Sequence, residues 1–173
     1  MNDIRLRLIL DDVRSAHNVG AMLRTADATG VELVYACGLT PHPQVTQDSR
    51  PPHVIASNHR AIAKTALGAE STVQVLHKTQ TIDAISEAKK LGFRTIVIEQ
   101  AEDSLSLFDY VPPSRTAKIA LVVGNEVTGV SRAIQAHADH ILELPMLGRK
   151  ESLNVASTAA IVLYQLKFGR LLP

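Results

Sequence analysis

The feature that most constrains this chain is an alternation. Apolar runs of strand length are separated, from the N-terminus almost to the end, by segments with helical period. Strands joined by helical crossovers lie parallel, so the pattern predicts an α/β fold: a mainly parallel sheet flanked by helices. Lys118–Val123 (KIALVV) is the clearest member. Its apolar residues run on without polar alternation, as in a central strand covered on both faces. Further strands are predicted at 4–10, 31–37, 72–76, Arg94–Ile98 and 141–144. Helices are predicted at 18–29, stopped by Gly30; from a Ser57 cap to about Leu67; from Thr81 to Leu91; briefly from Ser131; and finally from a Ser152 cap. Pro41, Pro43, Pro51 and Pro52 break the stretch 38–57, which reads as a long loop and a candidate lid.

The length, 173 residues, fits a single domain spanning 1–173. Its formal net charge of +1 argues against a polycation that holds nucleic acid by bulk charge, so any such contact must be a local patch. Aromatic residues make up 3% with no Trp, which leaves little for a base-stacking platform. The lone Cys37 forbids an internal disulfide and reads as a core residue of a protein from a reducing compartment. No apolar run approaches the ~18 residues of a membrane span, and MNDIRLRLIL lacks the core of a signal peptide, so a cytoplasmic protein with no membrane contact is expected. The seven histidines are scattered without converging ligands, so no metal is expected.

Three segments, each following a predicted strand, carry unusual chemistry. In HNVGAMLRTADATG (17–30), Asn18 stands where it can cap a helix whose N–H groups face an anion. Arg24 further on either pairs with Asp27 as a solvated ion pair or faces a ligand. In LVVGNEVTGVS (121–131) a strand runs into a glycine-bounded turn holding Glu126. Ligands of open α/β sheets gather beyond such strand ends. The segment lacks the spacing of a dinucleotide or triphosphate loop. In LPMLGRKESLNVASTAAIVLYQL (144–166) a basic loop precedes a helix rich in small residues and apolar almost all round, which must be buried in the core or against a partner subunit. Asn154 there is either a spare cap or a polar group aimed into a site.

Taken in this order and spacing, the three segments resemble the SpoU (TrmH-like) branch of the SPOUT RNA methyltransferases, across nearly the whole chain. KTALGAES (64–71) is similar to an intervening family segment, more loosely. The resemblance implies the SPOUT α/β-knot, whose C-terminal part is threaded into a deep trefoil knot that no sequence rule predicts. It implies a homodimer and S-adenosyl-L-methionine held bent among loops 124–129, 141–144 and 146–153. On this chain the cofactor residues are Val123, Gly124, Asn125, Gly129, Ile141, Leu142, Leu144, Met146 and Leu153. The family's catalytic arginine falls on Arg24, supported by Asn18, Glu126, Ser152 and Asn154.

The implied reaction moves a methyl group from a sulfonium to a ribose 2′-hydroxyl of RNA, tRNA favoured over rRNA, helped mainly by alignment. A guanidinium, with a pKa above ~12, is a poor proton acceptor, so Arg24 is read as a phosphate clamp. The first motif starts so early that no N-terminal RNA-binding domain fits before it. RNA contacts must then come from basic residues of the domain itself: Arg14, Arg149, Lys150 and Arg170, with Arg50, Arg60, Lys64 and Lys167 as further candidates. The competing reading is a non-catalytic RNA-binding or assembly protein of the same fold.

Overall fold

The computed structural model describes residues 3–46 and 48–169. Seven parallel strands form one sheet: β1 (Arg5–Asp11), β2 (Leu33–Cys37), β3 (Val75–Lys78), β4 (Arg94–Ile98), β5 (Leu105–Ser106), β6 (Lys118–Val123) and β7 (His140–Glu143), in the order β3-β2-β1-β6-β4-β7-β5. Helices α1 (Ala16–Thr29), α2 (Pro52–Ala66), α3 (Ala69–Thr72) and α6 (Val155–Phe168) cover one face; α4 (Thr81–Lys90) and α5 (Arg132–Gln135) cover the other.

The central strand explains the two layers. Side chains of a strand alternate between faces. Ile119, Leu121 and Val123 of β6 therefore enter the core beneath α1 and α6, while Ala120 and Val122 pack with Ala84, Ile85 and Ala88 of α4. Cys37 is fully buried in the second core, and burial pushes its thiol up to about 12. Strands β2 and β3 step to one side of β1, whereas β6, β4, β7 and β5 lie on the other. The direction of winding thus reverses between β1 and β6, and a crevice opens beyond their carboxyl ends.

β4 and β6 fall where the sequence places them, residue for residue. Elsewhere the boundaries move. The 38–57 loop is shorter than predicted, because α2 begins at Pro52, whose fixed φ and missing N–H suit a first helical turn; Ser57 lies inside the helix and caps nothing. Thr72 ends α3, so β3 begins at Val75. Ser152 does not cap α6; Asn154 does.

Candidate functional site

At the crevice, the start of α1 is capped by Ser15, whose hydroxyl accepts the Asn18 N–H at 3.3 Å. Asn18 is therefore not the cap, and its side chain is released for other bonds. The Glu126 carboxylate reaches across from the turn after β6 and accepts the backbone N–H groups of Arg14 at 2.9 Å and Ser15 at 3.1 Å, and the Asn18 amide at 2.8 Å. A negative charge at the positive end of α1 is electrostatically matched. Partial burial pushes the Glu126 carboxyl up, but the Arg14 amide, the Asn18 side chain and the Ser15 amide together hold it below its ordinary value.

The Asn18 side-chain oxygen Oδ1 in turn accepts from the Asn154 side-chain amide at 3.1 Å. The Asn154 oxygen accepts the N–H groups of Ala156 and Ser157 at 2.9 and 3.4 Å, capping α6. Asn154 is thus both a cap and a site group, and one line of hydrogen bonds joins the three sequence segments. Asn125 completes the frame. Its amide donates to the Asp12 carbonyl at 2.8 Å, and its oxygen accepts from the Val127 and Thr128 N–H groups. Asp12 sits at φ 51°, a left-handed conformation that costs an L-residue about 1–2 kcal/mol, and its carboxylate also accepts the Leu39 N–H at 2.8 Å.

The turn after β6 closes through paired Asn125 and Gly129 backbones. Gly129 has φ +65°, and a methyl group on Gly124 would meet the Gly129 carbonyl carbon at 2.5 Å, so neither position accepts a larger residue. Between this turn, the ends of β4 and β7 and the start of α6 lies a cleft of about 610 Å³. Val123, Gly124, Asn125 and Gly129 line it, as do Leu144, Met146 and Leu153; Glu126, Ser152, Asn154 and Lys150 stand at its walls. Ile141 and Leu142 do not: Leu142 is fully buried in the core, and its carbonyl is taken by the Glu99 N–H.

Arg24 is not on the cleft wall. It lies six residues beyond Asn18, about 9 Å along the helix axis, exposed and without a hydrogen bond or ion pair among the described residues. Its predicted pair with Asp27 does not form, since Asp27 accepts the Thr72 hydroxyl at 2.7 Å. Arg14, Arg149 and Lys150 are exposed, while Arg170 lies outside the described residues. Two further basic candidates are occupied internally: Arg50 by Asp48 and the carbonyls of His42 and Pro43, and Lys167 by the Ile4 carbonyl.

Sequence reasoning missed Ile98, Glu99, Gln100 and Thr158, and covered Glu143 only as part of the 141–144 loop; all five line the cleft. Glu99 and Gln100 follow directly on β4, so the strand-end rule applied to the second motif would have found them. The Glu99 carboxylate accepts the Val130 N–H at 2.8 Å and fills the space a Gly129 side chain would need. Also missed is a hollow of about 900 Å³ between the 38–50 loop and β3, where the rings of His42 and His77 stack at 4.7 Å. Among the described residues no three His, Cys, Asp or Glu side chains cluster as metal ligands, and no helix is long and apolar enough to cross a membrane.

A parallel α/β sheet whose cleft opens beyond the carboxyl ends of β4, β6 and β7, walled by a glycine turn and a capped helix, defines a class of ligand-binding domain. Within it, the chain belongs to the SpoU rRNA Methylase family, whose model matches residues 5–164. It is 34% identical over 167 residues to a 23S rRNA (guanosine-2'-O-)-methyltransferase of Neisseria meningitidis serogroup B, covering 96% of this chain and 60% of that protein. It is 31% identical over 162 residues to a tRNA (guanosine(18)-2'-O)-methyltransferase of Escherichia coli, covering 92% and 62%. The chain thus spans about three fifths of the length of these curated relatives. Among solved structures, it is similar to an A. aeolicus TrmH/SpoU tRNA modifying enzyme (TM-score 0.68, 26% identity, covering 98% of this chain and 76% of that one). It shares its fold with an AdoMet-bound rRNA methyltransferase of Sinorhizobium meliloti (TM-score 0.77, 23% identity, covering 94% and 55%).

Proposed function

We propose that this protein transfers a methyl group from S-adenosyl-L-methionine to a ribose 2′-hydroxyl of RNA. The observation that carries the reading is the line Glu126–Asn18–Asn154, which ties the three family segments together at the mouth of one cleft. The 2′-O-methyltransferase activities for which the Neisseria and Escherichia relatives are named support the same chemistry. tRNA ranks ahead of rRNA because the A. aeolicus tRNA modifying enzyme is matched over 76% of its length.

The cleft suits the cofactor. Its volume lies within the usual range for small-molecule sites. Gly124 lets the turn close tightly on Gly129 at the cleft wall, and Val123, Leu144, Met146 and Leu153 offer apolar walls for a heterocycle. The carboxylates of Glu99, Glu126 and Glu143 line the cleft against the single cation Lys150 among its wall residues, which favours a ligand bearing positive charge. When bound, S-adenosyl-L-methionine supplies an electrophilic methyl group on a sulfonium.

The chain's own residues supply alignment. Glu126 fixes Asn18, and Asn18 and Asn154 fix the angle between α1 and α6, with Ser152 beside them to orient the nucleotide. Arg24, unpaired and exposed, clamps the neighbouring phosphate while the hydroxyl proton leaves to a phosphate oxygen or water. The reading includes the knotted threading of the C-terminal part, a cytoplasmic location, and a homodimer formed through α6, where Ile161, Tyr164 and Phe168 share an exposed face. Light scattering should give the mass of a dimer at micromolar concentration, and a monomer would remove that part.

The deciding experiment incubates the protein with labelled S-adenosyl-L-methionine and RNA, digests to nucleosides, and locates the label. It should appear on 2′-O-methylated ribose, with no labelling of DNA, which lacks that hydroxyl. Label on a base, or binding without transfer, would overturn the reading, the latter in favour of a non-catalytic RNA-binding protein.

A further inference from the structure

Charge on this molecule is not evenly spread. Helices α1 and α2 carry Arg24, Arg60 and Lys64 together with His17, His53 and His59, and only one carboxylate, Asp27. The two helices alone are more positive than the whole chain, whose net charge is +1. From residue 49 to residue 69 there is no Asp or Glu at all.

The placement is ordered as well as biased. His53, Ser57, Arg60 and Lys64 are spaced i, i+4, i+7 and i+11, one face of α2, and all four are exposed. The stripe runs about 16 Å along the helix. On α1, His17 and Arg24 share a second exposed face at i, i+7. The helices lie against each other there: the Thr65 hydroxyl donates to the His17 carbonyl at 2.8 Å, and a methyl group on Gly20 would sit 2.2 Å from the Ile62 carbonyl oxygen. The α2 stripe therefore meets α1 at His17, the residue before Asn18, which bonds the cleft residues Glu126 and Asn154. Neither Arg60 nor Lys64 has a hydrogen bond or ion pair among the described residues, whereas Arg50 and Lys167, basic residues elsewhere, are occupied internally.

We propose that the exposed α1–α2 face is the track on which the phosphate backbone of the RNA docks, with Arg60 and Lys64 contacting phosphates outside the cleft and Arg24 the phosphate nearest it. The proposal rests on the methyltransferase reading above and names how its substrate is held. A row of unpaired cations, with no carboxylate interspersed along α2 and only Asp27 on α1, matches a polyanion, and it fixes position along the strand without reading sequence.

The test measures binding of fluorescein-labelled, unmodified tRNA transcript to the full chain between about 50 and 200 mM salt, because each phosphate contact adds close to one unit to the slope of log affinity against log salt. The double variant Arg60→Ala, Lys64→Ala should lower that slope by about two, and Arg60→Glu, Lys64→Glu should weaken low-salt affinity on the order of tenfold to a hundredfold. The exchange Arg60→Lys, Lys64→Arg should restore both, which a merely structural effect would not. S-adenosyl-L-methionine affinity should stay within twofold throughout. An unchanged slope overturns the proposal, as does a variant that keeps the slope but loses dimer mass, or one that keeps it but loses binding to phosphatidylglycerol vesicles. Wild-type transfer to ribose with an unchanged variant slope would sink the track alone; no transfer by the wild type would sink the underlying reading.

Discussion

Two hollows border the same sheet but are built by opposite means. The cleft beside β6 is framed by backbone: a glycine turn closed on itself, two helix starts, and side chains whose partners are mostly main-chain N–H groups. The hollow beside β3 is framed by a loop that side chains staple. Arg50 bonds Asp48 and the carbonyls of His42 and Pro43, and the His42 ring stacks on His77. A backbone frame keeps its shape while its surface residues vary, whereas a stapled loop depends on a few side chains. The first construction suits a site that must hold one small ligand in one pose.

The sharpest test of that contrast is Gly124→Ala. Its new methyl group would overlap the Gly129 backbone, which has no flexible end to move aside, so S-adenosyl-L-methionine affinity should fall more than a hundredfold by calorimetry. Gly148→Ala, with open space around it, should bind normally. Next in size is Arg24→Ala, which should reduce turnover on the order of a hundredfold while leaving cofactor affinity within a few-fold, since a clamp acting chiefly in the transition state affects rate more than binding. A near-normal rate would remove the role assigned to Arg24.

Asn154→Ala removes a cap, worth about 1 kcal/mol, together with the bond to Asn18, and thermal unfolding should show the loss. Arg50→Ala, in contrast, should expose the 38–50 loop to protease and leave cofactor affinity unchanged. If it weakens cofactor binding, the two hollows are coupled through the Asp12–Leu39 bond and the contrast fails.

Acid should separate the regions most gently. Burial, helped by nearby Arg50 and His77, holds the His42 imidazole below its ordinary 6.5. The unfolded chain therefore takes up that proton first, so this contribution to stability is complete above about 6.5 and declines as the pH falls below it. The depressed Glu126 carboxyl contributes above its unfolded value near 4.5 and is lost only as the pH falls below that. Hydrogen exchange near pH 5.5 should show faster opening of the loop than of the 124–129 turn.

Much of this was legible in the sequence. β4 and β6 are short apolar runs whose burial on both faces leaves little freedom in where they begin and end. The glycine turn 124–129 also follows β6 as the sequence suggests, because a glycine turn at a strand end has few alternatives, whereas Arg24, Ile141 and Leu142 stand off the cleft wall. What local pattern could not show was competition between neighbours. Ser152 and Asn154 are both good caps, and the bond from Asn154 to Asn18, 136 residues away, is one only the folded chain reveals. Pro51 and Pro52 read as breakers, though the second starts a helix. The strand order was equally hidden, since nothing in β1 announces that β6 will be its neighbour.

The Glu126–Asn18–Asn154 line also bears on how the molecule comes into being. Its links close loops of 108 and 136 residues, so almost the whole chain must be ordered before they form. Contacts of such long sequence separation slow folding, because loop entropy is lost before any bond compensates. The cleft is thus expected to be among the last features to mature. During synthesis, a nascent chain still lacking α6 would have its sheet centre but no finished cleft, so competence to bind the methyl donor would mark the completion of folding.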